Sequence, residues 1–320
     1  DSAGNNLSNT LHISSTLTNF DFINVKNGLL TTSDTSNLSG IGDLYIAKNA
    51  TAVFNGNYSS DGVVVNEGVL YINKGFSADT IVNKNAAKLY LQATNNILAT
   101  HIVNDGGAIL NIASDVNMPG MSFLNNGIVS IMGKNTITAD NYISPGAHNF
   151  SIKNDGMYSS LHANNDIDFS DGTINISSKF LGGSNKKYSW NVVSASNIIT
   201  NNNTTINLPE SSLFLSWSSD VANSGVTVNF IRAPFGSVDA SNNAELSKVL
   251  DGIADMEISG ACEFMSCMAS CNRVEEWNQK LEKLKPVART NVHNVAMQNA
   301  SFNKVEMRIA SQNNHSSMPS

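Results

Sequence analysis

HIVNDGGAILNI, residues 101–112, is two short runs of alternating apolar and polar residues set around an Asn-Asp-Gly corner. Alternation with period two is the mark of a strand with one buried face. Asp-Gly supplies the positive φ that a sharp corner needs. The same unit recurs on both sides. INVKNG ends at Gly28, YIAKN at Asn49, VVVNEG at Gly68, IVNKN at Asn85, HIVNDG at Gly106 and FLNNG at Gly127, so the steps are 21, 19, 17, 21 and 21 residues. Another alternating run follows most of these marks: VLYIN, AKLYLQ, AILNI and IVSIMG.

Two or three strands in a period near 20 residues is the size of one solenoid coil. A single coil cannot bury its own apolar face, so stacking is obligatory. The predicted fold is mostly β: a right-handed parallel β-helix, or solenoid, with a short C-terminal helical segment. Val63, Val65, Leu70, Ile72, Leu89, Leu91, Ile109 and Ile112 are expected near its interior. A sandwich of meandering hairpins is the rival arrangement. Low charge and an excess of Asn favour the solenoid, because stacked amides can hydrogen-bond from coil to coil.

Composition narrows the functional classes. The 320 residues are 41% hydrophobic and 14% charged, with net charge −7, against a usual charged share of roughly 25%. Eleven basic residues precede position 244 and eight follow it, so no basic stripe marks a nucleic-acid binder. No apolar run approaches the roughly 20 residues of a spanning helix. The opening DSAGNN reads as the start of a fragment or processed chain.

The text changes near Ala244. Asn242 and Glu245 are spaced like a capping box. Leu246, Val249, Leu250 and Ile253 then follow helical spacing. A second helix carries Val274, Trp277, Leu281 and Leu284 and stops before Pro286. A third runs from about Val287 to Ser311, with Val292, Val295, Phe302, Val305 and Ile309 set among polar residues. Lacking a strong apolar stripe, this third helix suits a wet or polar-walled environment.

Four blocks, taken in order, resemble the C-terminal passenger region of bacterial autotransporters of type V secretion. The first is Ile143-Ser144-Pro145-Gly146, followed by IDFSDGTINI from Ile167. The second is LFLSWSSDVANSGVTVNFIRAPF, residues 213–235, similar to a terminal hairpin with Trp217, Arg232 and Phe235 at recurrent positions. The third is NAELSKVLDGIAD, residues 243–255, with Leu246, Leu250 and Asp251 in the matching places. The fourth is the last helix, where Val295, Phe302, Val305 and Arg308 resemble a segment that threads a barrel pore. The Asn-rich, Lys-over-Arg style is similar to rickettsial surface cell antigens. SGACEFMSCMASC, residues 259–271, departs from the family pattern.

The resemblance implies a layout. Residues 1–142 would be passenger coils, 143–243 terminal coils with an autochaperone-like hairpin, 244–286 short helices, and 287–320 a linker towards an outer-membrane barrel outside this chain. It implies export through the periplasm to the bacterial cell surface and outer membrane. Its partners would be the protein's own barrel, the barrel-assembly machinery and a host-cell surface receptor. It implies no cofactor and no catalysis, the whole protein being an adhesin or surface antigen.

Other motifs are weaker. Asp166, Asp168 and Asp171 suggest calcium, but Asp171 holds the sixth place where an EF-hand needs Gly, and Ser177 the twelfth where it needs Glu. Exposed turn carboxylates account for them better. Cys262, Cys267 and Cys271 leave a local disulfide, a redox-inert pair or a metal site open. His12, His101, His148, His162, His293 and His315 are scattered and read as solvated or turn residues. Trp217 and Trp277 read as packing anchors. No GxSxG and no GxxxxGK[ST] motif occurs. The alternative function is a solenoid enzyme acting on polysaccharide, which would gather Asp, Lys and Arg on one face. Arg is absent before Arg232.

Overall fold

The computed structural model describes residues 10–92, 97–113, 115–153, 155–178, 180–183, 185–238, 244–255 and 262–284. They fall into two compact units. One holds the residues up to Ser211 together with Ser216–Arg232; the other holds Ser212–Leu215 and the residues from Ala233 on. The compositional seam at Ala244 therefore lies inside the second unit.

The first unit is a parallel β-solenoid. Its strands form a 10-stranded and a 14-stranded sheet, and each strand pairs with the equivalent strand of the next coil. Lys88–Leu91 lies parallel between Val69–Ile72 and Ile109–Ile112. Asn83 pairs with Asn66 on one side and Asn104 on the other. All the pairings along the two walls are parallel until the final hairpin, which excludes a sandwich of hairpins.

Period two fills the core in columns. Leu70, Leu89, Leu110, Val129, His148 and Ile174 stand in register down one wall. Ile81, Ile102, Phe123, Tyr142, Ile167 and Ile198 stand in register down the other. All twelve are buried. Each large apolar member contributes on the order of 1.5–3 kcal/mol by leaving water.

At the corner after one strand of each coil runs a buried amide ladder. Asn66 donates from Nδ2 to Asn83 Oδ1, Asn83 to Asn104 and Asn104 to Asn125, each at 2.8 Å. Asn125 ends the row by donating to Ser144 Oγ at 3.0 Å. The steps span 17, 21, 21 and 19 residues. All five residues are fully buried, so each amide must be satisfied inside the wall. Oδ1 of Asn66 and Oδ1 of Asn125 also accept the amides of Gly68 and Gly127, at 3.1 Å, which ties the two end residues of the Asn row to the corners that follow them. The corner is tight. A Cβ on Gly127 would lie 2.4 Å from Ala108 O and 2.5 Å from Asp105 O.

The ladder corrects the expected interior. Asn66 points inward, so Val64, two residues earlier, shares its face, and Val63 and Val65 face outward, half-exposed. Ile109 also faces outward, because Leu110 and Ile112 take the inward positions. A polar residue inside the wall reverses the parity that apolar counting assigns.

Coils widen towards the C-terminus. On the outer face of the 10-stranded sheet a second ladder joins Asn149 to Ser130, Asn175 to Asn149 and Asn207 to Asn175. Its steps are 19, 26 and 32 residues.

The second unit is helical. Helix α1 spans Ala244–Asp255, α2 spans Cys262–Ala269 and α3 covers residues 274–284. Leu250, Ala254, Met265, Met268, Trp277 and Leu281 are buried. Phe214, Phe235 and Trp277 form its aromatic centre: Phe214 meets Trp277 edge-on at 4.7 Å, and Phe235 stacks on Trp277 at 5.2 Å. The strap Ser212–Leu215 is tied down by Ser212 Oγ donating to Ala269 O at 2.5 Å and by the Leu213 amide donating to Cys271 O at 3.0 Å. The segment SGACEFMSCMASC, which departs from the family pattern, thus supplies α2 and much of this core. Asn242, and the third helix with Val295, Phe302, Val305 and Arg308, lie outside the described residues, as does the proposed linker 287–320.

Candidate functional site

The C-terminal end of the solenoid carries the densest aromatic packing in the first unit. Strand Lys187–Ser194 pairs parallel with Ser160–Ala163 on one side. On its other side it meets Gly225–Arg232 antiparallel, with Trp190 opposite Val228 and Tyr188 opposite Phe230. Leu215–Ala222 then closes the sheet as the outer arm of a hairpin with Gly225–Arg232. The Asn223-Ser224 turn between the arms is the two-residue connection that antiparallel strands favour.

Alternation sets the inward face of this hairpin. Val226, Val228, Phe230 and Arg232 are buried, while Ile231 is exposed. Trp217 packs on Phe230 at 4.4 Å and on Trp190 at 6.1 Å. Trp190 meets Phe180 edge-on at 5.2 Å, and Phe180 meets Tyr188 at 4.7 Å. Trp190 Nε1 donates to Gly156 O at 3.1 Å, which satisfies the one polar atom of the indole. Gly182, at φ +59, admits this packing, since a Cβ there would lie 2.5 Å from the Tyr188 ring. Arg232 is fully buried, and its Nε donates to Gly182 O at 3.1 Å. Five aromatic rings from three chain segments therefore lock the last parallel strand to the hairpin.

The residues singled out in the sequence divide between the units. Trp217 belongs to the solenoid cluster, Phe235 to the helical one. Asp251 and Phe235 come together: the Phe235 amide donates to Asp251 Oδ1 at 3.1 Å, joining α1 to the turn Phe235–Ser237. Leu250 is buried and Leu246 half-buried on α1. Cys267 is exposed and Cys271 buried, both free thiols, and burial pushes the Cys271 thiol up. The side chain of Cys262 lies outside the described residues. Asp171 sits at φ +62 in an exposed turn and accepts Nδ2 hydrogen bonds from Asn203 at 2.7 Å and Asn201 at 3.1 Å, which hold its carboxyl below the usual range. Asp168 accepts the Ser170 amide at 2.8 Å.

Two histidines depart from the solvated reading. His162 is half-buried, with Nδ1 2.9 Å from Ser194 Oγ. His148 is fully buried, its Nε2 2.5 Å from the Tyr142 hydroxyl. The signal was present in Ala147–Ile152, where His148 shares parity with Phe150 and Ile152.

An open groove of about 460 Å³ lies on the 14-stranded sheet, lined by Ser60, Asp61, Ser77, Asp79, Leu98 and Thr100 among others. It holds two carboxylates and no basic side chain in its lining. No family model and no curated protein matches the chain.

Proposed function

We propose that this chain is the C-terminal part of a non-enzymatic autotransporter passenger, wound as a right-handed solenoid, whose terminal coils and hairpin template the folding of the coils before them. The observation that carries this reading is the aromatic-locked antiparallel hairpin that closes an otherwise parallel wall, in the segment whose sequence resembles the family's terminal hairpin. A solenoid grows by nearest-neighbour stacking, and its first coil bears the nucleation cost. An antiparallel hairpin with a two-residue turn forms from local contacts, so it lowers that cost. It then presents the Lys187–Ser194 strand as a ready edge on which the preceding coil pairs.

In this reading the chain leaves the periplasm C-terminal end first through its own outer-membrane barrel, assembled by the barrel-assembly machinery. The passenger stands on the bacterial cell surface as an adhesin or surface antigen that meets a host-cell receptor. A polysaccharide-degrading solenoid is less well supported, because the lining of the carboxylate-bearing groove includes no Lys, Arg or His to abstract a proton near neutral pH.

The test is to place this chain ahead of an autotransporter barrel and compare it with Trp217→Ala and Phe235→Ala. Both variants should reach the surface but be cleaved by external protease under conditions that leave the parent intact. Equal yield and equal protease resistance in parent and variants would remove the template role.

A further inference from the structure

His148 interrupts an aliphatic column. The equivalent inward positions in neighbouring coils are Leu89, Leu110, Val129 and Ile174. Tyr142 interrupts the facing column between Phe123 and Ile167. The two polar side chains meet across the core, hydroxyl to Nε2, at 2.5 Å. Both are fully buried. Packing alone calls for neither polar atom, since Leu, Val, Ile and Phe fill the equivalent positions elsewhere in the two columns.

The surroundings of the imidazole are apolar. Phe150 stacks beside it at 5.6 Å, and Phe169 meets it edge-on at 5.8 Å. Val129 and Ile174 flank it in register. The Tyr142 phenol is the one ionisable group against it among the described residues, and burial keeps that phenol protonated. Among the described residues no carboxylate, lysine or arginine acts on the ring. With the phenol donating to Nε2, the ring proton sits on Nδ1, which has no hydrogen-bond partner. A second proton would place a full charge in this pocket with no acceptor for Nδ1–H and a hydroxyl oxygen alone for Nε2–H.

We propose that the His148–Tyr142 bridge is an acid-sensitive latch: proton uptake by His148 opens the coils it joins, Thr136–Ile152 and Ile167–Ile176, while the Asn-laddered coils before them stay wound. Locality follows from the rest of the core. Among the described residues the other buried polar side chains of the solenoid are Asn, Ser and Thr, together with Arg232 and the Tyr58 phenol, whose pKa burial raises; amides and hydroxyls of Asn, Ser and Thr carry no titrating charge. Nearest-neighbour stability lets one group of coils open without the whole array.

The sign is fixed by burial, which lowers the His148 pKa from 6.5 to about 3. The closed coil holds the neutral ring, so the latch is fully closed above pH 6.5 and weakens as pH falls towards 3. Between pH 7 and 4.5 the opening constant should rise on the order of 50–100-fold, as one proton is taken up on opening.

Native-state hydrogen exchange on the full chain tests this, with intrinsic rates corrected at each pH. Amides of residues 142–152 and 167–176 should gain roughly 50–100-fold in opening between pH 7 and 4.5, and those of residues 63–112 less than about threefold. His148→Leu, which restores the aliphatic column, should flatten the first slope to match the second. If that variant does not fold, the comparison of the two regions within the unaltered chain decides alone. Equal slopes in the two regions, or an unchanged slope in a folded His148→Leu, would overturn the proposal.

Discussion

Asn104 donates from Nδ2 to Asn125 Oδ1 at 2.8 Å, inside a wall where neither side chain has any exposed surface. Its own Oδ1 accepts from Asn83 at the same distance. Asn104→Ala would break two rungs, leaving Asn83 Nδ2 with Ile109 O as its acceptor and Asn125 Oδ1 with the Gly127 amide as its donor, so that each buried amide loses one of its hydrogen bonds. The expected cost is about 1–3 kcal/mol, read as a lower urea midpoint. Asn126→Ala, one residue beyond the ladder and exposed, should stay within about 0.5 kcal/mol. Equal midpoints for the two variants would mean that the ladder does not hold the coils together.

Glycines separate steric need from indifference. Gly127→Ala drives a Cβ into two carbonyl oxygens of the preceding corner and towards Asn104 Nδ2, 2.8 Å away. It should cost about 2–4 kcal/mol, because the two nearest atoms are backbone oxygens and the third belongs to the buried ladder. Gly252, within α1, has nothing within 4 Å of an added Cβ. Gly252→Ala should stabilise the helix by about 0.5–1 kcal/mol. Thermal unfolding of both variants against the parent checks the pair of signs.

Asp251 ties α1 to the turn that carries Phe235 by accepting the Phe235 amide at its Oδ1, at 3.1 Å. Asp251→Ala should destabilise the helical unit by about 1–2 kcal/mol, since the acceptor of a backbone amide is lost. Tryptophan fluorescence of Trp277, which stacks on Phe235, would report earlier unfolding of that unit. An unshifted transition would show that the contact adds nothing.

Thiol chemistry should follow burial. Cys267 is exposed, while Cys271 is buried with its thiol pKa raised, so less of it is thiolate at neutral pH. Alkylation at pH 7, mapped by peptide mass, should modify Cys267 at least tenfold faster than Cys271. Comparable rates would place Cys271 at the surface.

Much of this architecture was legible because solenoids repeat. The Asn/Gly marks near Gly68, Asn85, Gly106 and Gly127 give the coil length, and the ladder runs through the Asn residues beside them. Parity was not legible where polarity and burial part company. Val63 and Val65 look like core residues until Asn66 is known to point inward. His148 reads as a solvated or turn residue by its type alone, although it shares inward parity with Phe150 and Ile152, and its hydroxyl partner Tyr142 lies six positions away across the core. The helical unit was half legible. Trp277 and Leu281 follow helical spacing, but the strap Ser212–Leu215 reaches α2 across 57 residues, and no local pattern encodes so distant a contact.

The central claim is directional: the hairpin end forms first and the earlier coils build on it. Pulsed hydrogen exchange during refolding measures this order directly. Amides of residues 187–194 and 225–232 should become protected before those of residues 63–125. Protection of residues 63–125 first, or of both regions in a single phase, would contradict it.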